Sequence, residues 1–95
     1  MKSYMFNGVR VLLRKEEYLN GTVAVLMVTE DGEYYADVTV NLDHPMQSSH
    51  LAFLDENNLP GIGEWLTSNN LGIFMGVKAC SGFCVYPLYM LLQPL

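Results

Sequence analysis

Apolar and polar residues alternate from Tyr4 to Leu13 and again from Glu33 to Leu42, the period of a strand with one buried face. Between and beside these runs lie Asn7-Gly8, Asn20-Gly21 and Asp31-Gly32. Such dipeptides accept the positive φ of hairpin turns, so each predicts a chain reversal. About the first, Phe6 pairs with Val9 and Tyr4 with Val11. Tyr4, Phe6, Val9, Val11 and Leu13 then share one face, and Met5, Arg10, Leu12 and Arg14 the other. The alternation falters at Lys15-Glu16-Glu17, where a bulge or bend is expected. In the second run Tyr34, Ala36, Val38, Val40 and Leu42 are predicted to point inward, and Glu33, Tyr35, Asp37, Thr39 and Asn41 outward. The segment Thr22–Thr29 is apolar on both faces, which predicts cover on both sides. The helix would supply one cover, and a return of the sheet or a partner chain the other.

Residues 43–50 read as a polar connection and Leu51–Leu54 as a short strand. A helix is predicted from Leu59 to Asn69, capped by Asn58, with Pro60 in the first turn. Leu59, Ile62 and Leu66 form its stripe, with Trp65 alongside. Gly61 and Gly63 weaken it by about 1 kcal/mol each relative to Ala. Asn69 or Asn70 takes the left-handed closing position and Leu71 packs back. A last hairpin runs from Ile73–Ala79 through Cys80-Ser81-Gly82-Phe83 to Cys84–Leu92, with Pro87 pushing the final strand toward an edge. The fold class is α+β: a largely antiparallel β-sheet of hairpins with one short α-helix (about 59–69), in one domain over residues 1–95.

Composition adds a partner to this picture. The chain is 51% hydrophobic and only 16% charged, more apolar than one small core requires, which favours a homo-oligomer or another protein contact. Its ten carboxylates all lie between Glu16 and Val77, a stretch without Lys or Arg, and the net charge is −5. Nucleic-acid binding needs cations that track phosphates and is excluded on this ground. No export signal precedes the first strand, and the longest apolar stretch, Val85–Leu92, is broken by Pro87 and shorter than a membrane span. A cytoplasmic protein with reduced thiols and no membrane contact is expected.

The chemistry-bearing residues are few. Cys80 and Cys84 with His44 and His50 form a two-Cys, two-His set, but the spacing matches no familiar zinc site, so no metal or cofactor is assigned. Ala79, Phe83 and Val85 suggest that the thiols are buried and inert. Asp55-Glu56-Asn57-Asn58 lacks the central glycine of a calcium loop, and Gly61 and Gly63 lie inside the helix rather than before one, so no phosphate loop exists. No catalytic set is found. The residues favoured for partner contact are the carboxylates Glu30, Asp31, Glu33, Asp37 and Asp43, together with Trp65. Glu33, Asp37 and Asp43 would lie on one strand face, and Trp65, if exposed, would anchor a partner.

Several segments carry a resemblance. Tyr4…Asn7-Gly8, Tyr18-Leu19-Asn20-Gly21, Thr39-Val40-Asn41-Leu42, Asp55-Glu56-Asn57-Asn58, Asn70-Leu71-Gly72 and Ser81-Gly82-Phe83 with Pro87-Leu88 occur in this order. The pattern resembles a small domain-of-unknown-function family encoded in gut anaerobic bacteria, often on conjugative or other mobile elements. The resemblance covers nearly the whole chain and brings no catalytic residues. It implies an accessory protein that inhibits or regulates a host protein, and the acidic sheet face makes a basic target the expectation. The expectation is therefore a non-enzymatic protein-interaction module. A small-ligand or metal-binding domain using Cys80/Cys84 with His44/His50 is the alternative.

Overall fold

In the computed structural model, which describes residues 2–42 and 49–92, the first sheet grows turn by turn. Strands β1 (Tyr4–Phe6), β2 (Val9–Glu17), β3 (Val23–Thr29) and β4 (Tyr34–Asp37) lie in that order, each antiparallel to the next. Asn7 and Gly8 both take positive φ, 49° and 80°, as a two-residue turn of the primed kind requires. The register is the predicted one, Phe6 with Val9 and Tyr4 with Val11. Gly21 and Gly32 turn the chain at φ 85° in the other two reversals.

Within this sheet two details differ from the sequence expectation. β2 has no bulge at 15–17; Lys15, Glu16 and Glu17 pair in regular register with Val25, Ala24 and Val23. The polar run marks a strand end whose side chains all reach water, so polarity changes while geometry does not. The bulge lies in β4 instead. Val28 pairs with Tyr34 and Met27 with Ala36, leaving Tyr35 as an extra residue. That insertion reverses the facing of everything before it. Tyr34 is 63% exposed, whereas Tyr35 packs edge-on against Phe6.

The predicted 33–42 strand is split at Val38, which passes from one sheet to the other. Its N–H donates to the Val25 carbonyl (2.9 Å) and its own carbonyl accepts from the Asp55 N–H (2.9 Å). Thr39 is buried rather than exposed: its Oγ1 accepts from the Val25 N–H (3.0 Å) and bonds the Tyr18 hydroxyl (2.9 Å). The second sheet is ordered β5 (Thr39–Val40), β6 (Leu51–Leu54), β8 (Cys84–Leu91), β7 (Gly72–Ser81). Pro87 therefore lies on an interior strand. It is tolerated because β6 pairs with β8 only at Leu88, Tyr89 and Met90, so Pro87 falls just past the shared stretch.

Helix α1 (Ile62–Ser68) starts three residues later than predicted. Gly61 sits at φ 86°, a conformation no helix continues through, and Asn58 provides no cap. Glu56 does that work from a distance, its two carboxylate oxygens accepting from the N–H of Gly61 (2.9 Å) and Gly63 (2.7 Å). Asn70 closes the helix at φ 59°, and the Leu71 N–H returns to the Leu66 carbonyl (2.8 Å), as expected. Ile62, Leu66 and Leu71 join Val11, Val25, Met27 and Leu54 in one core between the sheets. The inner face of β3 is thus sealed, while Ala24 and Leu26 on its outer face are only half-buried. The architecture is α+β, mostly antiparallel strand with a single short helix among the described residues.

Candidate interaction surface

The β7–β8 hairpin projects past the rest of its sheet. Among the described residues no strand pairs with the outer side of β8 beyond Leu88, and β7 is the sheet edge. Lys78, Ala79, Cys80 and Ser81 pair with Pro87, Tyr86, Val85 and Cys84, giving a two-stranded ribbon closed by Gly82-Phe83. Gly82 takes φ 62°, and with the glycine first in the turn the large side chain falls at the tip. At its base β7 bulges: Met75, Gly76 and Val77 span the interval that Leu88 alone spans on β8, with Gly76 at φ 78°. This hairpin carries much of the exposed apolar surface. Phe83 is fully exposed, and Ile73, Val77, Val85 and Phe74 are 43–52% exposed.

Strand alternation sets the faces. Tyr89 and Leu91 are buried toward the core, so Val85 and Pro87 share that side of β8, and their partners Cys80 and Lys78 share it on β7. Phe74 lies there too, 5.6 Å from Tyr89 between ring centroids. This face forms one side of a groove of about 450 Å³, with Phe74, Lys78, Val85, Pro87 and Tyr89 against Glu56, Gly61 and Glu64. Burial, then the nearby Glu56 charge, hold the Tyr89 phenol above its usual pKa, so it stays neutral. The groove has an apolar floor, one cation and two rim carboxylates. Among the described residues that line it, no nucleophile is paired with a base.

The sequence-predicted contact residues lie elsewhere. Glu30, Asp31 and Glu33 are exposed around the β3–β4 turn and Asp37 ends β4, the edge of the other sheet. The Tyr35 bulge puts Glu33 and Asp37 out of phase, so they do not form the single row that unbroken alternation implies. Asp37 instead shares the outer face with Tyr34, whose pKa is raised by desolvation and by its hydrogen bond to that carboxylate. Among the described residues the ion pair is Arg14–Glu16 at 3.9 Å, so the β3–β4 carboxylates are not neutralised by one. Asp43 lies outside the described residues. Trp65 is half-buried; its Nε1–H donates to the Met5 carbonyl (2.7 Å) and its ring meets Tyr4 and Phe6 edge-on. It fastens β1 to the helix.

The cysteines are not brought together. Cys80 pairs with Val85 and Cys84 with Ser81, which places the two thiols on opposite faces of the ribbon. Nor are they buried as Ala79, Phe83 and Val85 suggest; Cys80 is exposed and Cys84 half-exposed. The His50 carbonyl bonds the Leu91 N–H, so His50 sits level with Leu91. That is seven residues along β8 from Cys84, about 23 Å at strand rise. His44 lies outside the described residues, among which no group of three or more His, Cys, Asp or Glu could hold a metal. No helix among the described residues is long and apolar enough to cross a membrane.

Against known proteins, a family model described as a domain of unknown function (DUF4313) matches residues 12–93. The chain belongs to the DUF4313 family. The resemblance drawn from turns and caps holds at that level, with Tyr4 and Asn7-Gly8 outside the matched span. No curated protein and no solved structure matches the chain. The residues that sequence reasoning missed in this DUF4313 domain are Val77, Phe83 and Val85. A signal for one of them is present in the chain: a phenylalanine in a tight turn, Gly82-Phe83, has no core to enter.

Proposed function

We propose that this DUF4313 domain is a non-enzymatic protein-interaction module that works through its β7–β8 ribbon. The observation that carries the reading is the exposed apolar surface of Phe74, Phe83 and Val85 on a hairpin with no strand beyond it among the described residues. A two-stranded ribbon is marginal in water by itself, and exposed apolar surface of this kind marks a place where another surface sits. Aromatic anchors such as Phe83 contribute disproportionately to such contacts.

A second contact is favoured by the unneutralised carboxylates at Glu30, Asp31, Glu33 and Asp37, next to a strand edge. This edge suits a basic protein, in line with the accessory-protein context that the resemblance implies. Salt separates the two contacts, because screening shortens from ~10 Å at 0.1 M to ~3 Å at 1 M and leaves apolar burial intact. The test immobilises the wild-type, Phe83→Asp and Asp37→Lys chains and compares what each retains from host-cell extract at both salt concentrations. Retention lost with Phe83→Asp and kept at high salt supports the ribbon. Retention lost with Asp37→Lys and at high salt supports the acidic edge. Identical retention by all three chains refutes both.

A further inference from the structure

We infer that the occupant of the β7–β8 ribbon is a second copy of this chain, seated so that each Phe83 enters the other copy's groove. The inference rests on the ribbon being the contact surface. It is first a matter of charge. Two copies at −5 each repel, so close approach is least opposed where carboxylates are fewest. Ala79 to Pro87 is uncharged, and Lys78, the one cation after Lys15, stands at its base.

Geometry makes the contact reciprocal. Arm and groove belong to one hairpin: Val85 and Pro87 floor the groove, and Phe83 is four residues from Pro87, about 13 Å along the strand. A two-fold axis at Val85 therefore lays each tip over the partner's Pro87, between Lys78 and the Glu64 rim. The same patch meets itself, as an isologous dimer requires, and the pairing closes. The groove volume of about 450 Å³ has room for the phenyl ring. The uncharged tip leaves Glu56, Glu64 and Lys78 at the rim with water.

The area sets the strength. The exposed parts of Phe74, Phe83 and Val85, with the Lys78 stem, amount to roughly 450 Å² per copy, well below the ~800 Å² per partner of a standard interface. A weak, reversible dimer follows.

Sedimentation equilibrium of the full chain tests this from about 5 to 500 µM. The wild type is expected to pass from monomer to dimer, with no weakening between 0.1 and 1 M salt. Phe83→Asp is expected to raise the dissociation constant by at least about 100-fold. Because Phe83 is fully exposed, that variant retains the monomer fold, checked by an unchanged far-UV circular dichroism spectrum and by a melting temperature equal to the wild type's at the lowest concentration, where both are monomeric. Lys78→Glu, which adds a third carboxylate to the groove, is expected to weaken the dimer about tenfold at 0.1 M salt and less at 1 M. A wild type that stays monomeric at 500 µM overturns the inference, as does a Phe83→Asp chain that dimerises equally well. If the chain is monomeric while Phe83→Asp still abolishes retention of an extract protein, the ribbon reading stands and the second copy is excluded. If Phe83→Asp alters neither, both fall.

Discussion

Gly63→Ala separates sequence propensity from the packing found here, because the two predict opposite signs. Propensity alone makes the substitution stabilising by about 1 kcal/mol, since Gly is a poor helix residue. In the fold, a Cβ at Gly63 would lie 2.7 Å from Tyr89 Cζ and 2.9 Å from Glu56 Oε2, with the Tyr89 hydroxyl nearer still. Neither neighbour yields freely. Tyr89 is buried between Phe74 and the helix, and the Glu56 oxygen accepts the Gly63 N–H itself at 2.7 Å. Overpacking a fitted site costs about 1–3 kcal/mol, and displacing a charge-assisted hydrogen bond about 1.5–3 kcal/mol. After the propensity gain, a net loss of about 1.5–5 kcal/mol remains, a fall in Tm of at least about 6 °C for a domain of this size. Thermal and urea denaturation of Gly63→Ala measure it. The same substitution in a Tyr89→Phe background, which removes the nearest atom, should cost about half as much. A melting temperature unchanged or raised by Gly63→Ala refutes the close approach of helix and β8.

Further outcomes follow from other contacts. Trp65→Phe loses the hydrogen bond to the Met5 carbonyl and part of the edge-on packing with Tyr4 and Phe6, and should cost about 1–2 kcal/mol by urea titration. An unchanged urea midpoint would mean that Trp65 does not fasten β1. Thr39→Val orphans the buried Val25 N–H and should cost about 2 kcal/mol, whereas Thr39→Ser keeps the acceptor and should cost less. Tyr18 and Tyr89, both with pKa raised chiefly by burial, lose protons more readily when unfolded. Their contribution is full below the unfolded value near 10 and is lost as pH climbs through the folded value, so stability should fall above about pH 10. Tyr89→Phe should make that alkaline decline shallower, and an identical decline would contradict it. Purified protein should carry less than about a tenth of an equivalent of zinc, since the two thiols face apart; stoichiometric zinc abolished by Cys80→Ser would contradict that geometry.

The hairpins were legible because Asn-Gly and Asp-Gly fix a reversal locally, and alternation then fixes which residues go inside, as in β1 and β2. Legibility ended where one residue changes phase. Tyr35 is an ordinary strand residue by composition, and only pairing with β3 makes it a bulge, so unbroken alternation misplaces Tyr34 and joins Glu33 to Asp37 in one row. The helix start was misplaced for a related reason. Glu56 lies too far before the helix to read as a cap, and it reaches Gly61 and Gly63 only because Gly61 bends the chain. Pro87 argued for an edge strand, yet strand order depends on which segments of β8 are shared with β6. The groove was the least legible feature. Its two sides come from 56–64 and 74–89, and no local pattern says that they meet.

The central claim is that the ribbon, and not the acidic edge, is where this domain meets its second copy. Amide chemical shifts of labelled protein, followed by NMR as the chain is diluted from about 500 to 5 µM, test it residue by residue. The account predicts concentration-dependent shifts concentrated at 74–89 and at Glu56, Gly61 and Glu64, with Glu30 to Asp37 unmoved. Shifts confined to Glu30–Asp37, or none anywhere, would contradict it.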